Sequence, residues 1–247
     1  MKRIFTILPF LVLGALWHVG VIFNFIDSQF FPSPVMFTLK LFMLFLNSDF
    51  VYDCLRSAYR LLAGTLISIP LSFIAAFACS HCPKFDRIFN PLVAFTFPLP
   101  KVAIFPLTLL VLGIGDSSKI FVISLGMFYL LFINLRLGLL HMKGGEVGEL
   151  VKIFKINKKN YFFEIILKGI RVDFFKGLKL ALGYGLTLVV VSEFSMSKDG
   201  VGNFIWKAWE QFNIIDMYAA VLLLSLVGFV IYLVLDHLIG RFEKYYH

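Results

Sequence analysis

Apolar and polar positions alternate along this chain in blocks: long apolar runs, nearly free of charge, separated by short polar punctuation. The runs extend from Ile4 to about Phe25, Ser57 to Cys79, Ile88 to Leu112, Ile120 to Leu140, Phe175 to Phe194 and Met217 to Leu238. A helix of about 20 residues, rising 1.5 Å per residue, crosses a hydrocarbon core of about 30 Å. The pattern therefore predicts an all-α, polytopic protein with six transmembrane helices, plus a short helix from Val35 to Leu46 outside the membrane. The run ending at Leu112 contains Pro91, Pro98, Pro100 and Pro106. Each interior proline removes a backbone hydrogen bond that lipid cannot replace, so this span is expected to be broken or kinked where protein or a water-filled cavity covers it. In the fifth run, Gly177, Gly183 and Gly185 are small positions that allow helices to approach closely. The stretch after it, with Trp206 and Trp209, reads as an external loop at the membrane interface.

One segment departs from this pattern. Between about residues 143 and 172, Val147, Leu150, Val151 and Phe154 fall on one helical face, and Glu146, Glu149, Lys152 and Lys155 crowd the other. Asn157 then reads as an N-cap, and Phe162, Ile165, Ile166 and Gly169 repeat the spacing. Two short amphipathic helices joined by a turn either rest on lipid headgroups or dock a soluble partner.

Composition turns the pattern into a class. With 60% hydrophobic and 15% charged residues in 247, the chain lies far from the roughly 45–50% apolar and 25% charged of soluble domains. It is expected to be one membrane domain, residues 1–247, with no room for a soluble catalytic domain beside the spans. The +8 net charge reports topology rather than nucleic-acid binding. With both termini in the cytoplasm, most of the 23 Lys and Arg residues fall on the inner side, and so does the 143–172 segment. The first run, preceded by Lys2 and Arg3, lacks a small-residue cleavage site and is expected to be a retained span.

Catalytic chemistry finds no support. The five histidines are scattered, and HExxH, a paired-carboxylate cluster, a nucleophile elbow and the phosphate-cradling GxxxxGK[ST] are all missing. Cys79 and Cys82 form a CxxC without a second ligand pair, so no metal or disulfide framework is expected. ATP-driven work would need its nucleotide on another polypeptide. Lys101 is an ionisable residue inside a span, hence either a pathway residue or a paired or snorkelling one. Arg56 and Arg60 lie one helical turn apart at the outer end of the second run, where they either favour an anion or reach headgroups.

Several stretches taken together resemble the inner-membrane permease subunit of binding-protein-dependent ABC importers, in the branch that serves sulfonates, taurine, nitrate and thiamine-precursor pyrimidines. FFPSPVMFTLKLF resembles the external Pro-Ser-Pro segment of that branch, and Ser57, Arg60 and Gly64 its second-span motif. LPKVAIFPLTLLVLGIGDSSKI is the most specific match, through Leu99, Pro100, Lys101, Ala103, Pro106, Leu107, Gly113, Gly115, Ser118 and Lys119. Glu193, Gly200, Gly202, Asp216 and Asp236 also fall in place. The 143–172 segment resembles the cytoplasmic coupling loop: Glu149 and Lys152 are retained, Leu150 and Val151 replace two alanines, Lys155 replaces a glycine and Lys168 a proline.

The resemblance implies a permease homodimer, a partner ABC ATPase dimer that carries ATP and Mg, an external solute-binding protein, and no cofactor on this chain. It implies that Glu149, Leu150, Val151, Lys152, Phe154, Lys155, Ile156 and Asn157 contact the ATPase. Arg60, Pro100, Lys101, Pro106 and Glu193 become the candidates for the translocation path. The solute is a small molecule, either an anion such as a sulfonate or nitrate, or a thiamine-precursor pyrimidine. Two other classes stand beside this one: a non-transporting membrane anchor that recruits a soluble partner, and an ion-coupled secondary transporter using Lys101.

Overall fold

Because the interior of a bilayer offers no water to backbone N–H and C=O groups, an apolar block must satisfy them within itself, and helix is the local solution. The computed structural model, which describes residues 2–144, 165–194 and 197–243, is helical throughout its regular elements. In order these are α1 (Lys2–Ile22), α2 (Pro34–Leu44), α3 (Ser48–His81), α4 (Pro83–Thr96), α5 (Lys101–Leu112) and α6 (Asp116–Gly144). After a single turn at Leu167–Gly169 come α7 (Arg171–Phe194), α8 (Val201–Glu210) and α9 (Ile214–Glu243). Among the described residues, α3, α6, α7 and α9 are long and apolar enough to cross a membrane. Helices α4 and α5, bent by 102° at the break between them, are together long and apolar enough for a further crossing, as a broken span or as a re-entrant loop. Helix α1 occupies the block expected as the first span.

Two elements differ from the sequence expectation. Helix α3 starts at Ser48 rather than Ser57, because Asn47 caps it: its Oδ1 accepts the Asp49 N–H at 2.8 Å and its carbonyl accepts the Val51 N–H. The acidic residues that looked like a break lie in the first turns, where the positive end of the helix dipole favours them. The stretch expected as an external loop contains α8. There Val201, Ile205 and Ala208 recur at i, i+4 and i+7 and are buried, while Trp206 and Trp209 stay on the exposed side.

The chain divides into two compact units, residues 1–57 with 193–227, and residues 58–192 with 228–247. In the first, Trp17, Phe37 and Tyr218 form a ring trio with centroids 5.6–5.8 Å apart, and Lys40 Nζ pairs with Asp216 Oδ1 at 3.0 Å. In the second, α6 is the central post. Its Val122, Ile123, Met127 and Leu131 meet Leu61 of α3, Phe105 of α5, and Ala181 and Leu188 of α7. Lower on the same helix, Phe132, Leu135 and Leu139 pack with Ala76, Val93, Ile166 and Ile170. Contact between α6 and α7 depends on Gly126, where an added Cβ would collide with Leu188 and Tyr184. Of the glycines marked in α7, Gly177 and Gly185 approach α6 in the same way, whereas Gly183 faces open space.

A bidentate pair ties α6 to α4: Arg136 Nε and Nη2 each donate to one Asp86 carboxylate oxygen at 2.8 Å. The fork matches the carboxylate plane and the pair is partly shielded from solvent. Replacing either partner with alanine is expected to cost about 1.5–3 kcal/mol, because a charged hydrogen-bonding group is left without its counterpart. The double variant Asp86→Ala with Arg136→Ala should lose less than the sum of the singles. Thermal unfolding of the four proteins in detergent measures both quantities.

Candidate functional site

The break between α4 and α5 is built from four residues and one cation. Pro98 and Pro100 have no N–H to continue a helix, so the last carbonyls of α4 are left without intrahelical partners. Lys101, the first residue of α5, supplies them: Nζ donates to the carbonyls of Thr96 at 2.7 Å, Phe97 at 3.0 Å and Leu99 at 2.9 Å. The ammonium also lies 4.1 Å from the centroid of the Tyr129 ring, and the Tyr129 hydroxyl donates to Thr96 Oγ1 at 3.0 Å. Lys101 is only 2% exposed. The lysine is thus held by backbone carbonyls rather than snorkelling to a membrane surface. Beside it is a cavity of about 230 Å³, lined by Phe97, Lys101, Gly126, Tyr129, Leu180 and Tyr184 among others. Pro106 lies within α5, past the break.

Arg60 is 1% exposed and donates from Nε to Asp116 Oδ1 at 2.8 Å, in the first turn of α6. The turn before α6 is closed by Gly113 in the left-handed region (φ +80°) and by the Ser118 hydroxyl, which donates to the Gly113 carbonyl. Arg60 therefore serves α3 and α6, and does not reach out to headgroups.

In the other unit, Glu193 at the end of α7 is completely buried. It accepts the Ser57 hydroxyl at 2.7 Å and the Gly202 N–H at 2.9 Å. The Val201 N–H donates to Ser57 Oγ at 2.8 Å, and the Gly200 N–H donates to Asp53 Oδ1 at 2.6 Å. These are the first amides of α8, so Asp53, Ser57 and Glu193 together cap that helix, and its positive end faces the buried carboxylate. Gly200 permits this approach. Its φ is +105°, and a Cβ there would run into the Glu193 carboxyl group. Arg56 Nε donates to Asp199 Oδ2 at 3.1 Å, and Ser197 Oγ to the Asp199 carbonyl at 2.6 Å, which fixes the strand of chain leading into α8.

Of the residues singled out from sequence, Pro100 and Lys101 meet at the break, Arg60 pairs with Asp116, and Glu193 belongs to the α8 cap. The coupling candidates Glu149 to Asn157 lie outside the described residues. Asp86 carried no signal in the sequence, and Asp53 counted there only as part of the polar break before the second run. For Asp53 the available signal is its i, i+4 spacing from Ser57 on one helix face. Among the described residues no cluster of His, Cys, Asp and Glu could hold a metal.

Long apolar helices, a proline-broken helix pair and charges held in internal ties define a multi-pass membrane protein. The chain belongs to the family of binding-protein-dependent transport system inner membrane components, which residues 68–245 match. It is an ABC importer permease, in the branch of the sulfonate and nitrate permeases. It is 24% identical to the putative aliphatic sulfonates transport permease protein SsuC of Bacillus subtilis, covering 88% of this chain and 78% of that one. It is 26% identical to the bicarbonate transport system permease protein CmpB of Synechocystis, over 98% and 86% of the two chains. The nitrate import permease protein NrtB of the same organism is 26% identical over 86% and 79%. In fold it is similar to a chain of the MetNI methionine ABC transporter in an inward facing conformation, with a TM-score of 0.62 at 16% identity over 79% of this chain and 99% of that one.

Substituting Gly200 with alanine is expected to cost about 1–3 kcal/mol, from the strained φ and the displaced Glu193 carboxylate. Gly183→Ala, at a position with open space around it, should stay within about 0.5 kcal/mol. Thermal midpoints of the two variants in detergent make the comparison.

Proposed function

We propose that this chain is the membrane-spanning subunit of an ATP-driven importer of a small oxyanion, of the sulfonate, nitrate or bicarbonate kind. The observation that carries this reading is the family match over residues 68–245, joined to relatives named for aliphatic sulfonates, bicarbonate and nitrate. All three are small singly charged anions. Two copies of the chain pair around a path, an external binding protein delivers the solute, and a separate ATPase dimer binds ATP and Mg. Both termini and the 143–172 segment face the cytoplasm, in keeping with the distribution of Lys and Arg.

Coupling passes through Glu149 to Asn157. Leu150, Val151, Phe154 and Ile156 supply apolar contact with a groove of the ATPase, and Glu149 and Lys152 set its register. Lys155 stands where the family has a glycine, so a left-handed turn at that position would be strained unless it shifted toward Asn157, which tolerates that conformation better. Closure of the ATPase dimer on ATP draws these segments together and rocks the spans between outward and inward access.

The test is uptake into proteoliposomes that contain the permease with its ATPase, with the binding protein outside and labelled nitrate, bicarbonate or methanesulfonate as probe. Uptake of at least one anion should require both ATP and the binding protein. Reversing both charges, with Glu149→Lys and Lys152→Glu, should lower uptake and ATPase co-purification by roughly tenfold or more, the scale of losing a close interfacial charge contact. Uptake driven by an ion gradient without ATP would identify a secondary carrier. Binding of the ATPase with no uptake of any solute would identify an anchor.

A further inference from the structure

We propose that the cavity beside the α4–α5 break is a site for a single small monoanion on the solute's path, with Lys101 supplying the charge and Tyr184 a second hydrogen-bond donor. The inference rests on the importer reading and adds to it the place and valence of the solute.

Three observations converge on this cavity. First, Lys101 is buried, yet its partners among the described residues are three carbonyls and an aromatic face, none with a net charge. Carbonyl dipoles solvate an ammonium without neutralising it, so this part of the protein keeps one unit of positive charge out of contact with water. Second, the lining separates cleanly by chemistry. Phe97, Leu130 and Leu180 are apolar, the Tyr129 hydroxyl already donates to Thr96, and the Tyr184 hydroxyl donates to no described residue. Third, about 230 Å³ is below the 300–1,000 Å³ typical of drug-sized ligands and suits a solute of a few heavy atoms.

The charge count also sets a selectivity. One ammonium balances one negative charge, so a nitrate, a bicarbonate or a small sulfonate leaves the site neutral. A sulfate dianion would bring a second charge that the single Lys101 ammonium does not balance, and is disfavoured. The ammonium has three N–H donors and all three are engaged by the break. An anion that takes one of them releases a carbonyl of Thr96, Phe97 or Leu99, so occupancy and the shape of the break are linked.

The experiment uses the complete transporter complex in detergent, titrated with nitrate, bicarbonate, methanesulfonate and sulfate, with thermal midpoint as the binding readout. The same preparations are then measured for ATP-dependent uptake. A saturable rise in midpoint with at least one monoanion, and none with sulfate at equal ionic strength, is expected. Tyr184→Phe should weaken that response and raise the KM for uptake about tenfold, the scale of a lost hydrogen bond to a charged group. Leu180→Phe, which places a larger side chain on the cavity lining, should weaken binding in parallel. Lys101→Arg should keep part of the response and Lys101→Gln none; if Lys101→Gln fails to fold, the Tyr184 and Leu180 variants carry the decision. An unchanged response in both of those variants overturns the site, as does a wild-type complex that answers sulfate as strongly as the monoanions or answers no anion at all. Uptake with wild-type KM in both variants overturns the site and leaves the importer reading standing. A monoanion response without ATP-dependent uptake overturns the importer reading and leaves the site.

Discussion

A chain that leaves the helical path inside a membrane must find partners for the backbone groups it frees, and this constraint governs the polar chemistry of the fold. At the end of α4 the freed groups are carbonyls, and the protein answers with an ammonium: Lys101 reaches back to Thr96, Phe97 and Leu99. At the start of α8 they are amides, and it answers with a carboxylate, a hydroxyl and a second carboxylate from Glu193, Ser57 and Asp53. Both follow the same electrostatic sense, a cation at a helix C-terminus and an anion at an N-terminus. Burying either charge alone would cost several kcal/mol, so the frayed helix end and the buried ion are each tolerable because the other is present.

This arrangement accounts for local sequence choices that propensity alone does not. Two prolines two residues apart would destroy an ordinary span, but Pro98 and Pro100 need no donors where a lysine serves the carbonyls. Gly200 is required because α8 approaches a buried carboxylate so closely that a side chain there would displace it. Arg60 with Asp116, and Arg136 with Asp86, apply the same logic between helices, each charge being neutralised by a named partner on a neighbouring element. Lys101 differs from these two arginines in that its described partners are carbonyl dipoles and an aromatic face instead of a carboxylate.

Much of the fold is legible in the sequence because its signal is long and repeated. The apolar runs foretold all-helical structure, the prolines between Ile88 and Leu112 foretold a break, and the short apolar stretch from Val35 to Leu46 foretold α2. What sequence reading could not reach was local polarity put to structural use. Asp49 and Asp53 read as part of the polar break between the first and second runs, and only the Asn47 cap and the Gly200 amide show that they belong to the start of α3. Helix α8 was hidden because its amphipathic pattern is short and begins at two glycines, which ordinarily mark a loop. Pairings such as Arg136 with Asp86 join residues fifty positions apart on different helices, and no spacing rule connects them.

The residues from Ile166 to Ile170 are packed tightly against α6. Ile166 and Ile170 are buried in the cluster formed by Leu135, Leu139 and Phe132 of α6, and Gly169 lies so close to Met142 that a Cβ would collide with it. Interiors packed to this density transmit displacement in preference to absorbing it. Motion imposed before residue 165 therefore reaches α6 directly. Because Arg136 ties α6 to α4 and Tyr129 ties it to Thr96 at the break, the same motion arrives at the Lys101 carbonyl cage. Displacement of α6 is thus shared with the break, since one helix is tied both to Ile166 and Ile170 and to Thr96.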